Sequence, residues 1–236
     1  MAPMSTARFA IYFTPTPDSP LARFGARVLG YDCFERVDVP HRPIDGLDPA
    51  VLALATVEPR RYGFHATLVA PFRLAPGVDS DALATAFSAF AASRAPVMAG
   101  PLRVTAMDRF IVLRPAEPHA EIEALADACV AAFDRLRAPL TDTDRARRLA
   151  AGLTPRQTEL LERWGYPYVL DEFRFHMTLA GPIADGQRPA FTASLAQAFD
   201  RLAGDHLELG AVSLMRQDDP AGAFYVLTRQ RLSGRR

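Results

Sequence analysis

Phe9, Ile11 and Phe13 alternate with smaller or more polar neighbours, so Arg8–Phe13 is predicted as an opening strand. A Pro-rich turn over 14–20 ends it. Residues 19–29 then read as a helix, with Pro20 suited to the first turn. Residues 37–48 hold Pro and Gly and are predicted as loop; Pro49–Thr56 is a short apolar helix. Residues 64–69 alternate again and read as a strand. Asp79 and Ser80 are placed to cap a helix reaching about residue 92. Residues 102–114 form a hairpin with its turn near Met107 and Asp108.

In the second half, residues 118–136 carry Ile122, Leu125, Ala126, Cys129, Val130 and Phe133 on one helical stripe. Thr154-Pro155-Arg156-Gln157 has a capping-box layout and opens a helix ending near Trp164-Gly165. Residues 173–180 read as a strand and 191–202 as a helix. Residues 207–215 and 223–229 read as a closing hairpin. Strands and helices mix without βαβ alternation, which predicts an α+β fold with antiparallel sheets.

The chain has 236 residues with 49% apolar and 23% charged, the balance of a globular domain with a core of its own. Formal net charge is zero, so a small ligand is favoured over a long polyanion such as RNA, whose binding draws on a basic excess. All 27 basic residues are Arg. Schiff-base and P-loop roles for Lys are thereby closed, and any phosphate clamp must come from Arg, His, hydroxyls or backbone amides. Cys33 and Cys129 lie far apart in no metal-like spacing, and the first eight residues lack an apolar signal core. A cytoplasmic protein that neither crosses nor anchors to a membrane is expected; oligomeric state is unreadable.

The chemistry concentrates in two tetrads, His65-Ala66-Thr67-Leu68 and His176-Met177-Thr178-Leu179. On a strand, Phe64, Ala66 and Leu68 share one face, and His65 and Thr67 the other; in the second copy, Phe175, Met177 and Leu179 oppose Arg174, His176 and Thr178. Each copy thus aims an imidazole and a hydroxyl, about 7 Å apart, away from an apolar face. An imidazole exchanges protons near neutral pH, and a Thr hydroxyl donates to a phosphoryl oxygen. Two facing copies place an imidazole on each side of one phosphorus, with no metal or cofactor required. Chance produces two such tetrads in about one chain in a thousand of this composition. Each strand is followed by Pro (Pro71, Pro182) and then a helix, a sign of internal duplication at a spacing of 176 − 65 = 111 residues.

The paired tetrads resemble the 2H phosphoesterase superfamily, which includes 2′,3′-cyclic-nucleotide phosphodiesterases and RNA 2′-5′ ligase-like proteins. Arg61-Tyr62-Gly63-Phe64-His65-Ala66-Thr67-Leu68 with Ala70-Pro71-Phe72, the opening strand and Leu214-Met215-Arg216-Gln217 are similar to a bacterial branch often encoded beside phosphonate-utilisation genes. The resemblance implies a bilobal fold, with two antiparallel sheets, helices outside and a pseudo-twofold cleft. Its lobes would be drawn from roughly 1–115 and 116–236, with strand exchange allowed. It also implies that both His are catalytic and both Thr hold phosphate. Val69 departs from the branch, which often carries Lys there.

Arg61, Arg174, Tyr62 and Tyr12 are the substrate-binding candidates: the arginines as phosphate or carboxylate clamps, the tyrosines as stacking surfaces for a base or sugar. His41, His119 and His206 form no ligand-spaced cluster, so no metal site is expected. No Walker loop, Gly-x-Gly-x-x-Gly fingerprint or Gly-x-Ser-x-Gly elbow occurs. The leading expectation is hydrolysis or transesterification of a small, cyclic or linear phosphodiester of a sugar or nucleotide, with His176 as base and His65 as acid, exchanging roles with direction. A non-catalytic binder of a phosphorylated metabolite and an RNA end-processing or ligating enzyme remain as alternatives.

Overall fold

The computed structural model describes residues 7–202 and 206–235. In chain order it contains β1 (Arg8–Phe13), α1 (Pro20–Leu29), β2 (Tyr31–Asp32), β3 (Val37–Asp38), α2 (Pro49–Thr56), β4 (Ala66–Phe72), α3 (Ser80–Ser93), β5 (Val97–Met107) and β6 (Phe110–Pro115). Then follow α4 (Ala120–Phe133), α5 (Asp142–Leu149), α6 (Pro155–Trp164), β7 (Met177–Ala180), α7 (Arg188–Asp200), β8 (His206–Leu209), β9 (Ala211–Gln217) and β10 (Tyr225–Arg231). The fold is α+β, and every strand pairing in it is antiparallel. No helix among the described residues is long and apolar enough to cross a membrane.

Local chemistry accounts for most of the helix ends. Ser19 caps α1 ahead of Pro20, and Gly30 closes it in the left-handed region at φ 77°. Asp48 and Asp79 cap α2 and α3. Thr154 and Gln157 complete the reciprocal capping box of α6. The stripe read on α4 is buried at all six positions. Helix α5 has no buried residue; it stands on Thr141 as its cap and on acids in its first turn and arginines in its last.

Eight strands run in the order β10-β9-β1-β4-β7-β6-β5-β8. The two four-stranded halves meet at one register pair, Ala66 of β4 opposite Met177 of β7. Strands β5 and β6, from the first half of the chain, lie with β7 and β8; β9 and β10, from the second half, lie beside β1. The expected strand over 207–215 is broken at Gly210 into β8, which pairs with β5, and β9, which pairs with β1. Only Gly210 separates them, so the two halves of the strand order are drawn back together there. The halves are therefore tied twice, at Gly210 and at the Ala66–Met177 seam.

One face of the sheet is covered by helices. Phe9, Ile11, Phe13, Ala66, Leu68, Ile111, Leu113, Met177, Leu179 and Leu214 join Phe24, Phe87, Phe133 and Leu195 in the main core. Each of the large side chains among them contributes about 1.5–3 kcal/mol by leaving water. The opposite face carries Ala10, Tyr12 and Met215, packed with Tyr31, Cys33 and Phe224. The polar residues of both tetrads lie on this second face.

Candidate active site

The strands at the seam begin at Ala66 and Met177, not at 64 and 173 as the alternation suggests. His65 and His176 each sit one residue ahead of a strand. The reason is a repeated local hydrogen bond. His65 Nδ1 lies 2.9 Å from the Gly63 carbonyl, and His176 Nδ1 lies 2.7 Å from the Arg174 carbonyl. A carbonyl only accepts, so each Nδ1 carries the proton and donates it, and each Nε2 presents a lone pair. Sequence reasoning missed this tether. Its one trace is Gly63, held at φ 71° and ψ 177°, a region open essentially to glycine.

Antiparallel counting from the Ala66–Met177 pair puts Thr67 across from His176 and His65 across from Thr178. Side chains so opposed stand about 5 Å apart at Cβ. The four residues from the distant tetrads thus form one patch. Within the first copy, Thr67 Oγ1 lies 3.1 Å from His65 Nε2 and donates to its lone pair. Both imidazoles are half-buried. Burial pushes His65 from 6.5 down to about 4, with the Gly63 carbonyl opposing and His176 reinforcing the shift. Burial also lowers His176; the Arg174 carbonyl opposes, and Arg114 adds to the lowering. Both rings are neutral at pH 7.

Neighbouring strands frame the patch. Tyr12 pairs with Thr67 across β1 and β4, and its ring stacks on His65 at 3.7 Å between centroids. Tyr12 is 1% exposed, so its stacking partner is the imidazole and not a ligand; this corrects its expected role as a substrate contact. Tyr62 lies 6.3 Å from the His65 ring and stacks on Phe224 at 5.6 Å, which supports the wall of the patch. Arg61 points elsewhere: its Nη2 donates to the Pro220 carbonyl at 2.6 Å, and its own carbonyl accepts from Phe224. That engagement ties the segment before His65 to the β9–β10 turn. Arg174 is exposed and lies outside the sheet, so strand alternation does not fix its side; its carbonyl holds His176.

A cation beside the second tetrad is one that sequence reasoning passed over. Leu113 pairs with Met177, so the next residue, Arg114, stands across from His176. Arg103 in turn pairs directly with Arg114. Two like charges across a ladder are unfavourable unless an anion bridges them. His119 occupies the N-cap position of α4 without making a cap bond. His41 is a loop residue, with Nδ1 3.0 Å from the Val28 carbonyl. The side chain of His206 lies outside the described residues.

Residues 67–225 match the family model described as "Protein of unknown function (DUF1045)". Two curated relatives carry the name ribose 1,5-bisphosphate phosphokinase PhnN. That of Janthinobacterium sp. (strain Marseille) is 39% identical over 98% of this chain and 52% of its own length. That of Laribacter hongkongensis (strain HLHK9) is 34% identical over 82% of this chain and 44% of its own. The chain thus spans about half the length of the curated relatives it matches. Among solved structures, TT0787 of Thermus thermophilus aligns over 97% of this chain and 100% of its own, at 16% identity and a TM-score of 0.47.

Proposed function

Since the chain belongs to the DUF1045 family, whose description assigns no activity, we propose a function from the site itself: a phosphodiesterase of the 2H type, acting on a small phosphodiester of a sugar. The observation that carries this reading is the pair of carbonyl-tethered imidazoles on one sheet face, each beside a threonine of the other tetrad.

The substrate phosphorus sits between the two rings. His65, held neutral by burial, serves as the base in this reading and His176 as the acid. Its Nε2 releases the Thr67 hydroxyl and takes a proton from the attacking water. His176, protonated when the anionic substrate enters, gives its Nε2 proton to the departing sugar oxygen. One P–O bond forms, one breaks, and both protons are accounted for. Thr67, Thr178 and Arg114 donate to the non-bridging oxygens, where negative charge grows in the transition state. Nδ1 of each ring keeps its carbonyl throughout, so neither imidazole turns as it changes charge.

The names of the relatives support a sugar over a nucleotide, because a ribose bisphosphate is the substrate those names give. They also support phosphoryl chemistry in phosphonate metabolism. The kinase step itself belongs, in this reading, to the half of those relatives lying beyond the match: this chain has neither a Walker loop nor any Lys.

The test is turnover of ribose cyclic phosphates and 2′,3′-cyclic nucleotides by the purified chain with chelator present. His65→Ala and His176→Ala should each lose about 10²–10⁴-fold in kcat. Full activity in either variant, or phosphate binding with no turnover of any substrate, overturns the proposal.

A further inference from the structure

The second face of the sheet continues past the tetrads into an arginine-lined recess. The β1–β4 ladder shifts register between Thr67 and Val69, so strict alternation stops there; along β1, Ala10 shares the face of Tyr12, and Arg8 lies over the Phe224 ring of the same cluster. Beyond Ala66, β4 leaves β7; its end is bridged instead to the segment after α4, Leu74 to Arg137. The gap forms a recess lined by Val69, Pro71, Tyr166 and the arginines 8, 73, 137, 147 and 148, with Asp134 and Asp144. Arg8 links it to the tetrad patch, since Arg8 lies over Phe224 of the cluster that holds Tyr12, the partner of Thr67. About 50 Å³ is open to the centres of water-sized molecules, against the roughly 10–15 Å³ that one water needs, so a phosphate-sized group fits.

Five arginines against two aspartates leave an excess of three positive charges, 5 − 2, in this lining. The carboxylates are already engaged: Asp144 bridges Arg73 and Arg147, and Asp134 bridges Arg137 and Arg163. Arg8 has a neutral partner, donating to Gln217 at 2.7 Å. Arg148 rests over the Tyr166 ring at 5.1 Å, and its Nε is buried with no hydrogen-bond partner among the described residues. Burial lowers the pKa of both Arg8 and Arg148, the mark of cations held out of water without full compensation. Tyr166 is fixed by the packing of α6 on Val130 of α4, so the recess is walled by ordered elements.

We propose that this recess is a second anion subsite, holding a phosphomonoester at the far end of the same substrate molecule. The proposal rests on the phosphodiesterase reading and narrows its substrate class to a cyclic or linear phosphodiester of a sugar that also bears a terminal phosphate.

Two measurements test it. In calorimetric titration of the full chain, ribose 5-phosphate should bind at least tenfold more tightly than ribose. Arg148→Gln and Arg8→Gln, on separate elements in case one fails to fold, should each weaken it at least tenfold, while His176→Ala changes it less than threefold. Equal affinity for ribose and ribose 5-phosphate, or wild-type affinity in both arginine variants, overturns the subsite. In kinetics, kcat/KM for a ribose cyclic phosphodiester with a 5-phosphate should exceed that of the unphosphorylated analogue at least tenfold, and this ratio should collapse toward one in both variants. A wild-type ratio near one overturns the subsite. Ribose 5-phosphate binding lost in both variants, with neither diester turned over, supports the subsite and overturns the hydrolytic reading instead.

Discussion

Protonating His65 should destabilise the folded chain, and the size of the effect follows from its surroundings. The ring is packed under Tyr12 and held by the Gly63 carbonyl, and burial lowers its pKa from 6.5 to about 4. Above pH 6.5 the ring is neutral whether the chain is folded or not, so the shift contributes nothing. As pH falls from 6.5 toward 4, the unfolded chain takes up a proton that the folded chain refuses, and stability drops. The full separation of 2.5 units corresponds to about 3 kcal/mol; at pH 5 the loss reaches about 2 kcal/mol, trimmed to about 1–2 by water at the half-buried ring. Urea unfolding of the wild type and His65→Gln at pH 7.5 and 5 measures it. The wild type should lose about 1–2 kcal/mol more than the variant between the two pH values. An imidazole proton resonance titration should place the midpoint near 4. A midpoint at 6.5 or above, or equal pH sensitivity in both proteins, would refute the argument.

Three further substitutions report on the supports of the site. Gly63→Ala would bring a Cβ to 2.5 Å from Cys33 Cβ at a backbone angle alanine rarely adopts; it should cost about 1–3 kcal/mol in chemical denaturation and reduce kcat by loosening the His65 tether. Gly25→Ala inverts the usual helical gain of about 1 kcal/mol, because its Cβ would fall 2.0 Å from the Phe64 ring; thermal unfolding should show net destabilisation of about 1–3 kcal/mol. Thr154→Ala removes the capping box of α6 and should cost about 1 kcal/mol with unchanged kcat, measured side by side by urea melts and turnover.

What the sequence makes legible is what periodicity controls. The α4 stripe and the apolar faces of both tetrads follow from spacings of 3.6 and 2, and the caps of α3 and α6 from their local side-chain chemistry. The common side of His65 and Thr67 follows from the same alternation. What it leaves hidden depends on partners far along the chain. Nothing local distinguishes residues 207–215 as two strands, since the break at Gly210 exists only because β5 and β1 lie on opposite sides of it. Tyr12 reads as either core or ligand surface until β4 brings His65 onto it. Arg114 looks like any hairpin arginine until β6 pairs with β7. Helix α5, polar on every side, offers no apolar stripe to read, although its Thr141 cap and charge order are visible afterwards.

The single register pair at Ala66 and Met177 also dictates an order of events during folding. Its partners lie 177 − 66 = 111 residues apart, and those of the β1–β9 ladder farther still, 214 − 11 = 203, whereas the β5–β6 hairpin and the helices close over short loops. Contacts so remote form late, because chain entropy must be given up before they reward it. Helical signal should therefore return early after dilution from denaturant, with the proposed diesterase activity reappearing only in the slowest phase, since each half carries one imidazole of the pair.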